Sequence, residues 1–372
     1  MNRREFSTLL GGAAVAWPLG ACAQQQPAPL KAPSNPIHQD WLDRHNEPIL
    51  EPALPIVDPH HHLWDRPGGY RYLFDDLLRD TNSGHNIVAT VFIQCASMYR
   101  ASGPVEMRPV GEMDFVNGVA AMSASGIYGN TKVCAGIVGH ADLTLGARAE
   151  PVLSALAGAA GGRLRGIRHV VASEASIPQN PVSPVPPHLL ADKTFREGFA
   201  LLGPRGLSFD AWLYHPQIDE LASLAGAFPE TKIVLDHVGG PLAIGAYAGK
   251  RKEVFPVWAA SIKALAAHQN VYVKLGGLGQ ISNDIGFSAQ PEPPSSETLA
   301  AAYRPYIETC IEAFGASRSM FESNFPVDKA SCSYPVFWNA CKLLARGAGS
   351  TEKADLFAAT AARFYRLDGL HV

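Results

Sequence analysis

The chain has 372 residues, is 47% hydrophobic and 17% charged, and sets Lys+Arg 31 against Asp+Glu 34 for a formal net charge of -3. That length suits one large or two medium domains. The near-neutral balance offers no basic surface for nucleic acid or an anionic membrane, so the expected partner is a small molecule.

At the start, Arg3-Arg4 precedes Glu5-Phe6, and a run of apolar and small residues from Leu9 to Leu19 ends near Ala21-Cys22-Ala23. Residues 1–23 read as a twin-arginine export signal, which implies a periplasmic destination. The run is too short to span a bilayer as a helix. Two processing routes are open: cleavage before Gln24 after Ala21-x-Ala23, or a lipoprotein box Leu19-Gly20-Ala21-Cys22 with a lipid anchor at Cys22. Residues 24–54 are rich in Pro and Gln and read as a tether and arm. The remaining cysteines, Cys95, Cys134, Cys310, Cys332 and Cys341, are odd in number and without CxxC spacing, which argues against a zinc ribbon or redox motif and for buried thiols.

From residue 55 to the end, strand-like and helix-like segments alternate. Strands are predicted at 55–60, 87–95, 132–138, 164–171, 207–214, 232–236, 271–275 and 319–323, and helices at 112–123, 150–159, 195–202, 218–227, 255–267, 296–314 and 334–345. Eight strands alternating with helices predict an α/β fold, a (β/α)8 TIM barrel over 55–372. The helix-to-strand links 203–206, 228–231 and 268–269 are short, whereas the strand-to-helix links 96–111, 172–194, 239–254 and 276–295 are long. A barrel builds its active site from the second kind of loop. An open doubly wound sheet would carry an early GxGxxG, and none follows the first strand.

The polar residues at the strand ends are the candidates for chemistry. His60, His61 and His62 end the first strand; alternation puts His60 and His62 on one face and turns His61 away. Gln94 and Tyr99 lie at or just past the second strand. Arg168 lies on the fourth, with His169 of opposite parity expected beneath a helix. His215 closes the fifth, where it either lines the site or bonds a loop carbonyl. His237 closes the sixth beside Asp236, which is expected to face away and organise a loop. Lys274, on the seventh, is either a substrate-binding cation or the ion-pair partner of Glu322 or Asp210.

Three segments, Asp58-Pro59-His60-His61-His62-Leu63-Trp64-Asp65, Leu235-Asp236-His237-Val238-Gly239 and Phe321-Glu322-Ser323-Asn324-Phe325-Pro326, resemble the amidohydrolase superfamily. More narrowly they are similar to its amidohydrolase-related branch, which includes sugar-lactone and 2-pyrone-4,6-dicarboxylate lactonases and some metal-dependent decarboxylases. The resemblance covers about Trp41 to Leu367. It implies a His-x-His pair at His60 and His62, the sixth-strand histidine at His237, and a fifth-strand metal histidine at His215. The chain departs from the pattern at Asn324, where relatives usually place an aspartate serving as base or metal ligand. A neutral amide cannot take a proton and ligates metal weakly. Glu322, one step deeper with the same parity, or Asp328 on the following loop is expected to replace it; a structural ion pair with Lys329 is the other role open to Asp328.

The expected activity is hydrolysis of a small cyclic ester or related carbonyl compound. His60, His62 and Arg168 would polarise the carbonyl, with the Arg168 fork suited to a substrate carboxylate, and His237 with Asp328 would activate water. The cofactor expectation is none, or one weakly held divalent metal, zinc first, on His60, His62 and His215 or His237. Two other readings remain, a metal-dependent non-oxidative decarboxylase and a non-catalytic periplasmic binding protein.

Overall fold

The computed structural model describes residues 37–66, 69–177, 184–283, 285 and 287–370. The export signal at 1–23, Cys22 and the tether up to residue 36 lie outside the described residues.

Eight parallel strands run in sequential order: β1 (Pro55–His61), β2 (Asn86–Ile93), β3 (Lys132–Gly139), β4 (Leu164–Ile167), β5 (Ser208–Ala211), β6 (Ile233–Leu235), β7 (Val271–Leu275) and β8 (Ser319–Phe321). The ring closes just beyond β8: a parallel bridge joins His61 to Phe325, the amide of Asn324 donates to His60 O (3.0 Å), and that of His62 to Phe325 O (2.8 Å). A helix follows each strand: α1 (Phe74–Thr81), α2 (Val110–Ala124), α3 (Glu150–Ala159), α4 (Lys193–Phe199), α5 (Ile218–Ala227), α6 (Arg251–Ala266), α7 (Ser296–Phe314) and α8 (Tyr334–Leu344).

The strands are nearly continuous apolar runs because both of their faces are buried. Neighbouring residues part into two cores. Ile56, Phe92, Ile137, Ile233 and Phe321 pack outward under the helices, while Val57, Val91, Val138, Val234 and Met320 fill the barrel interior. Interior packing is completed from below by a helical stretch, 350–365, that no predicted helix covers. Its Ala358, Ala361, Phe364 and Tyr365 join the inner core, and Phe364 meets Tyr272 of β7.

Other differences from expectation are local. The chain leaves β4 at Ile167 and β5 at Ala211, earlier than the apolar pattern suggests. The predicted helices also omit α1, an eight-residue segment in which Phe74, Leu77 and Asp80 turn inward. The carboxylate of Asp76 caps its first turn by accepting from Leu73 N (2.9 Å). The described part of the arm docks on α7 and α8: Glu47 accepts from Ser296 N (3.1 Å) and Asn339 Nδ2 (2.7 Å), and Lys342 donates to Leu50 O (2.7 Å). No helix among the described residues is long and apolar enough to cross a membrane.

Candidate active site

The seam between β1 and β8 sets the first histidines. Asp58 is fully buried and accepts from Ser323 N (3.0 Å), Ser323 Oγ (2.6 Å) and Tyr334 OH (2.9 Å), which ties the two chain segments together below the mouth. Above this clamp the rings of His60 and His62 stand edge to face with centroids 5.0 Å apart. His61 turns away and meets Thr90 Oγ1 at 2.9 Å. His62 Nδ1 faces Ile93 O at 2.8 Å, so it carries the proton and leaves Nε2 as the acceptor.

Glu322 is the hub. One oxygen accepts from the amide and Nδ1 of His237 (3.0 and 2.7 Å), and the other lies 2.7 Å from Nδ1 of His60. Burial by itself would raise this carboxyl, but the two imidazoles outweigh it and hold Glu322 well below the usual carboxylate range. The Nδ1 proton of His237 is thereby committed, which turns its Nε2 outward. Nε2 of His60 meets Arg168 Nη1 at 3.3 Å. A guanidinium can only donate, so His60 accepts and is neutral; burial, with the Lys274 charge, holds its pKa well below the ordinary value. His237 leaves its strand through left-handed backbone (φ 56°), and its ring fits because residue 277 is glycine: a Cβ there would lie 2.3 Å from the imidazole.

Beneath His60 lies a layer of paired charge. Lys274 Nζ contacts Asp210 Oδ2 (2.8 Å), Asp236 Oδ1 (3.0 Å) and His60 Nδ1 (3.1 Å), and Tyr365 OH donates to Asp210 Oδ2 (2.5 Å). All five side chains are buried, so Lys274 takes the ion-pair role and not that of a cation reaching substrate. Asp236 corrects the sequence reading. It points into the barrel, because Val234 does and the strand alternation holds through residue 236; the left-handed turn starts only at His237. His60 also lies lower than a rim position, fully buried and engaged at both nitrogens.

Arg168 sits over this layer. Its Nη2 donates to Gln94 O, its Nη1 faces His60 and Asp236 Oδ2 (3.7 Å), and Gln94 Nε2 donates back to Arg168 O (3.3 Å). The fork expected to take a substrate carboxylate is therefore already occupied, and among the described residues Nε has no partner. Tyr99 is half-buried near Arg168, its phenol pushed up by burial. His169 packs against Phe195 of α4, as its parity suggests.

Asn324 and Asp328 form a pair. Asn324, at φ 54°, donates Nδ2–H to Asp328 Oδ1 (2.8 Å), and Gly279 N donates to Asp328 Oδ2 (3.0 Å). Burial pushes Asp328 up to about 7. Lys329 does not pair with it and binds Asp80 instead (2.7 Å). His215 stands apart from the cluster: its Nδ1 accepts from Leu242 N (3.2 Å), its ring meets Tyr247, and burial pushes its pKa down to about 4. Trp64 stacks on His62 (5.6 Å) under the Arg66 guanidinium, and Trp212 meets His237 edge-on (4.8 Å). These aromatics went unassigned, although Trp64 lies only two residues beyond His62.

Among the described residues, ligand atoms of His60, His237 and Glu322 lie within 4.8 Å of one another, the spacing of a metal site. It differs from the expected one: Glu322 replaces His62 and His215. In this arrangement the donors do not fit a resident dication. The Arg168 guanidinium lies 3.3 Å from one nitrogen of His60 and the Lys274 ammonium 3.1 Å from the other, and two fixed positive charges oppose a third.

The chain is similar to known proteins over most of its length. An uncharacterised protein of Sinorhizobium fredii, y4mH, is 32% identical over 84% of the chain and 99% of its own length. An L-fucono-1,5-lactonase of Burkholderia multivorans is 29% identical over 63% of the chain and 72% of its own length. A crystal structure of a Burkholderia multivorans amidohydrolase with bound zinc superposes with a TM-score of 0.66 at 23% identity, covering 84% of this chain and 99% of that one. Residues 57–367 match the amidohydrolase family, and with eight strand ends converging on a histidine–carboxylate centre the chain is an enzyme of that family.

Proposed function

We propose that the enzyme hydrolyses a neutral sugar lactone, with His237 as general base. The observation that carries this reading is the Glu322–His237 pair: an ionised buried carboxylate holds Nδ1–H of an imidazole whose Nε2 has no protein partner among the described residues. Nε2 takes a proton from water while the water oxygen bonds to the lactone carbonyl carbon, and Glu322 stabilises the imidazolium that forms. The carbonyl oxygen becomes an oxyanion, for which Arg168, whose Nε–H has no hydrogen-bond partner among the described residues, supplies the stabilising positive charge. On collapse the ring C–O bond breaks, and His237 returns its proton to the departing alkoxide. No step uses a metal.

Two features favour a neutral substrate. The Nη groups of Arg168 and the ammonium of Lys274 are already paired, so neither is free to bind a substrate carboxylate. Trp212, half-buried beside His237, offers an aromatic surface suited to a sugar ring. The lactonase among the relatives points the same way. The decarboxylase reading needs a firmly held ion and a carboxylate docked on Arg168; the Arg168 and Lys274 charges oppose the first, and the Arg168 fork is already taken by Gln94 O, His60 and Asp236.

A panel of 1,4- and 1,5-aldonolactones, with 2-pyrone-4,6-dicarboxylate as the anionic comparison, tests the proposal. Turnover of an aldonolactone that survives dialysis against chelator is expected; exclusive turnover of the dicarboxylate would overturn it. We also infer export by the twin-arginine route. Arg3→Lys with Arg4→Lys is expected to strand the precursor in the cytoplasm, and undisturbed export would refute the inference.

A further inference from the structure

We infer that Glu112, on α2 outside the barrel, is a positioning residue for Arg168 and acts through the loop that follows β2. Its side chain is fully buried, and Oε1 accepts two backbone N–H groups, from Cys95 (3.0 Å) and Ser97 (2.8 Å). Around these anchors the backbone is unusual: Ala96 has φ 59° and Met98 φ 54°, a region that side-chain-bearing residues seldom occupy. The helix start also approaches the loop closely, since a Cβ on Gly111 would lie 2.5 Å from Met98 O. A double anchor thus holds a loop shape that local preference does not supply.

Gln94 immediately precedes the anchored residues. Its amide continues the β2–β3 pairing to Val138 O (2.9 Å), its carbonyl takes Arg168 Nη2, and its side chain holds Arg168 O. One peptide bond separates the Cys95 amide that Glu112 grips from the carbonyl that aims the guanidinium. The other Arg168 contacts, to His60 and Asp236, involve Nη1 alone and leave rotation about that edge open. Glu112 Oε2 has no partner among the described residues, and burial lifts the carboxyl to about 7, so the anchor calls for an acceptor oxygen more than for a charge. An amide supplies that oxygen.

The catalytic half of this inference rests on the lactonase reading, which gives Arg168 its role; the structural half does not. The test uses Glu112→Gln and Glu112→Ala, each alone and with Arg168→Met, followed by kinetics on an aldonolactone and by crystal structures. Glu112→Ala is expected to lower kcat by about ten- to a hundredfold, with a smaller change in KM, as misaimed groups do. The Arg168–Gln94 contact is expected to be lost in Glu112→Ala and kept in Glu112→Gln, which should recover most of the activity. In the Arg168→Met background, Glu112→Ala should cost nothing further. Equal damage from Gln and Ala, a multiplicative loss in the double variant, or an unmoved Arg168 in the Glu112→Ala crystal would each overturn the inference. If Glu112→Ala does not fold, Glu112→Asp retracts the acceptor by one methylene and serves in the same comparison. A wild type inactive on every lactone would sink the lactonase reading alone, and the crystal structures would still decide the positioning role.

Discussion

Met320 and Glu322 stand two residues apart at the end of the chain's last strand, and both turn inward, yet they belong to different worlds. Met320 packs with Val57, Val91, Val234 and Phe364 in an apolar layer floored by the C-terminal helix. Glu322 stands over Asp236, Lys274 and Asp210, where every charge is buried and nearly every one has an opposite neighbour. The lower layer is stabilised by the removal of apolar surface from water and tolerates a change of shape. The upper layer bears a desolvation cost that only its pairing offsets, so it tolerates no missing member. One barrel interior thus has a forgiving half and an unforgiving half.

The largest expected effect lies at the top of the upper half. His237→Asn should lower kcat/KM by about 10²–10⁴-fold, the usual contribution of a general base, with little change in thermal stability because the amide still offers Glu322 a donor. A variant within threefold of wild type would mean that another group activates the water. Below it, Lys274→Met leaves Asp210 and Asp236 buried without their cation. Its cost in urea denaturation should be about 3–5 kcal/mol, and a variant as stable as wild type would show that pairing does not hold this layer.

Asp328 tests the same contrast by pH. Its pKa rises from 3.8 to about 7 on folding, so between those values the folded protein holds a proton that the unfolded chain has lost. The associated stability is fully present below about pH 4 and disappears as pH climbs through 7, with an upper bound of about 4 kcal/mol. Asp328→Asn cannot titrate, so it should gain on wild type between pH 5 and pH 8; an unchanged difference across that range would place Asp328 in a wetter setting. The smallest effect belongs to the floor. Met320→Leu should cost less than about 1.5 kcal/mol and leave kcat unaltered. A large kcat effect would mean that the two halves are coupled.

Much of this architecture is legible in the sequence, because it depends on period and spacing. The β-branched runs, the long loops after strands and the histidines at strand ends mark both the barrel and its working face. What escapes depends on backbone angles or on partners distant in the chain. His237 and Asn324 adopt positive φ without being glycine, so alternation fails just where the site begins. Asp236 was misplaced for that reason. Glu322 shows its parity in the sequence but not the two imidazoles that share it, and Glu112 resembles any acidic residue in a first helical turn. The short α1 carries too few apolar positions to stand out beside Asp75, Asp76 and Arg79.

The barrel's closing seam carries a consequence for folding. Asn324 N to His60 O and His62 N to Phe325 O join the ring's two ends, and the residues that make these links also flank the catalytic groups. The eighth strand is the last to leave the ribosome, so an incomplete ring has neither a seated His60 nor a placed Glu322. Catalytic competence and ring closure therefore arrive as one event, and turnover during refolding becomes a direct clock for the final strand. Activity should lag behind the recovery of helical signal, which reports segments that can form while the ring is still open.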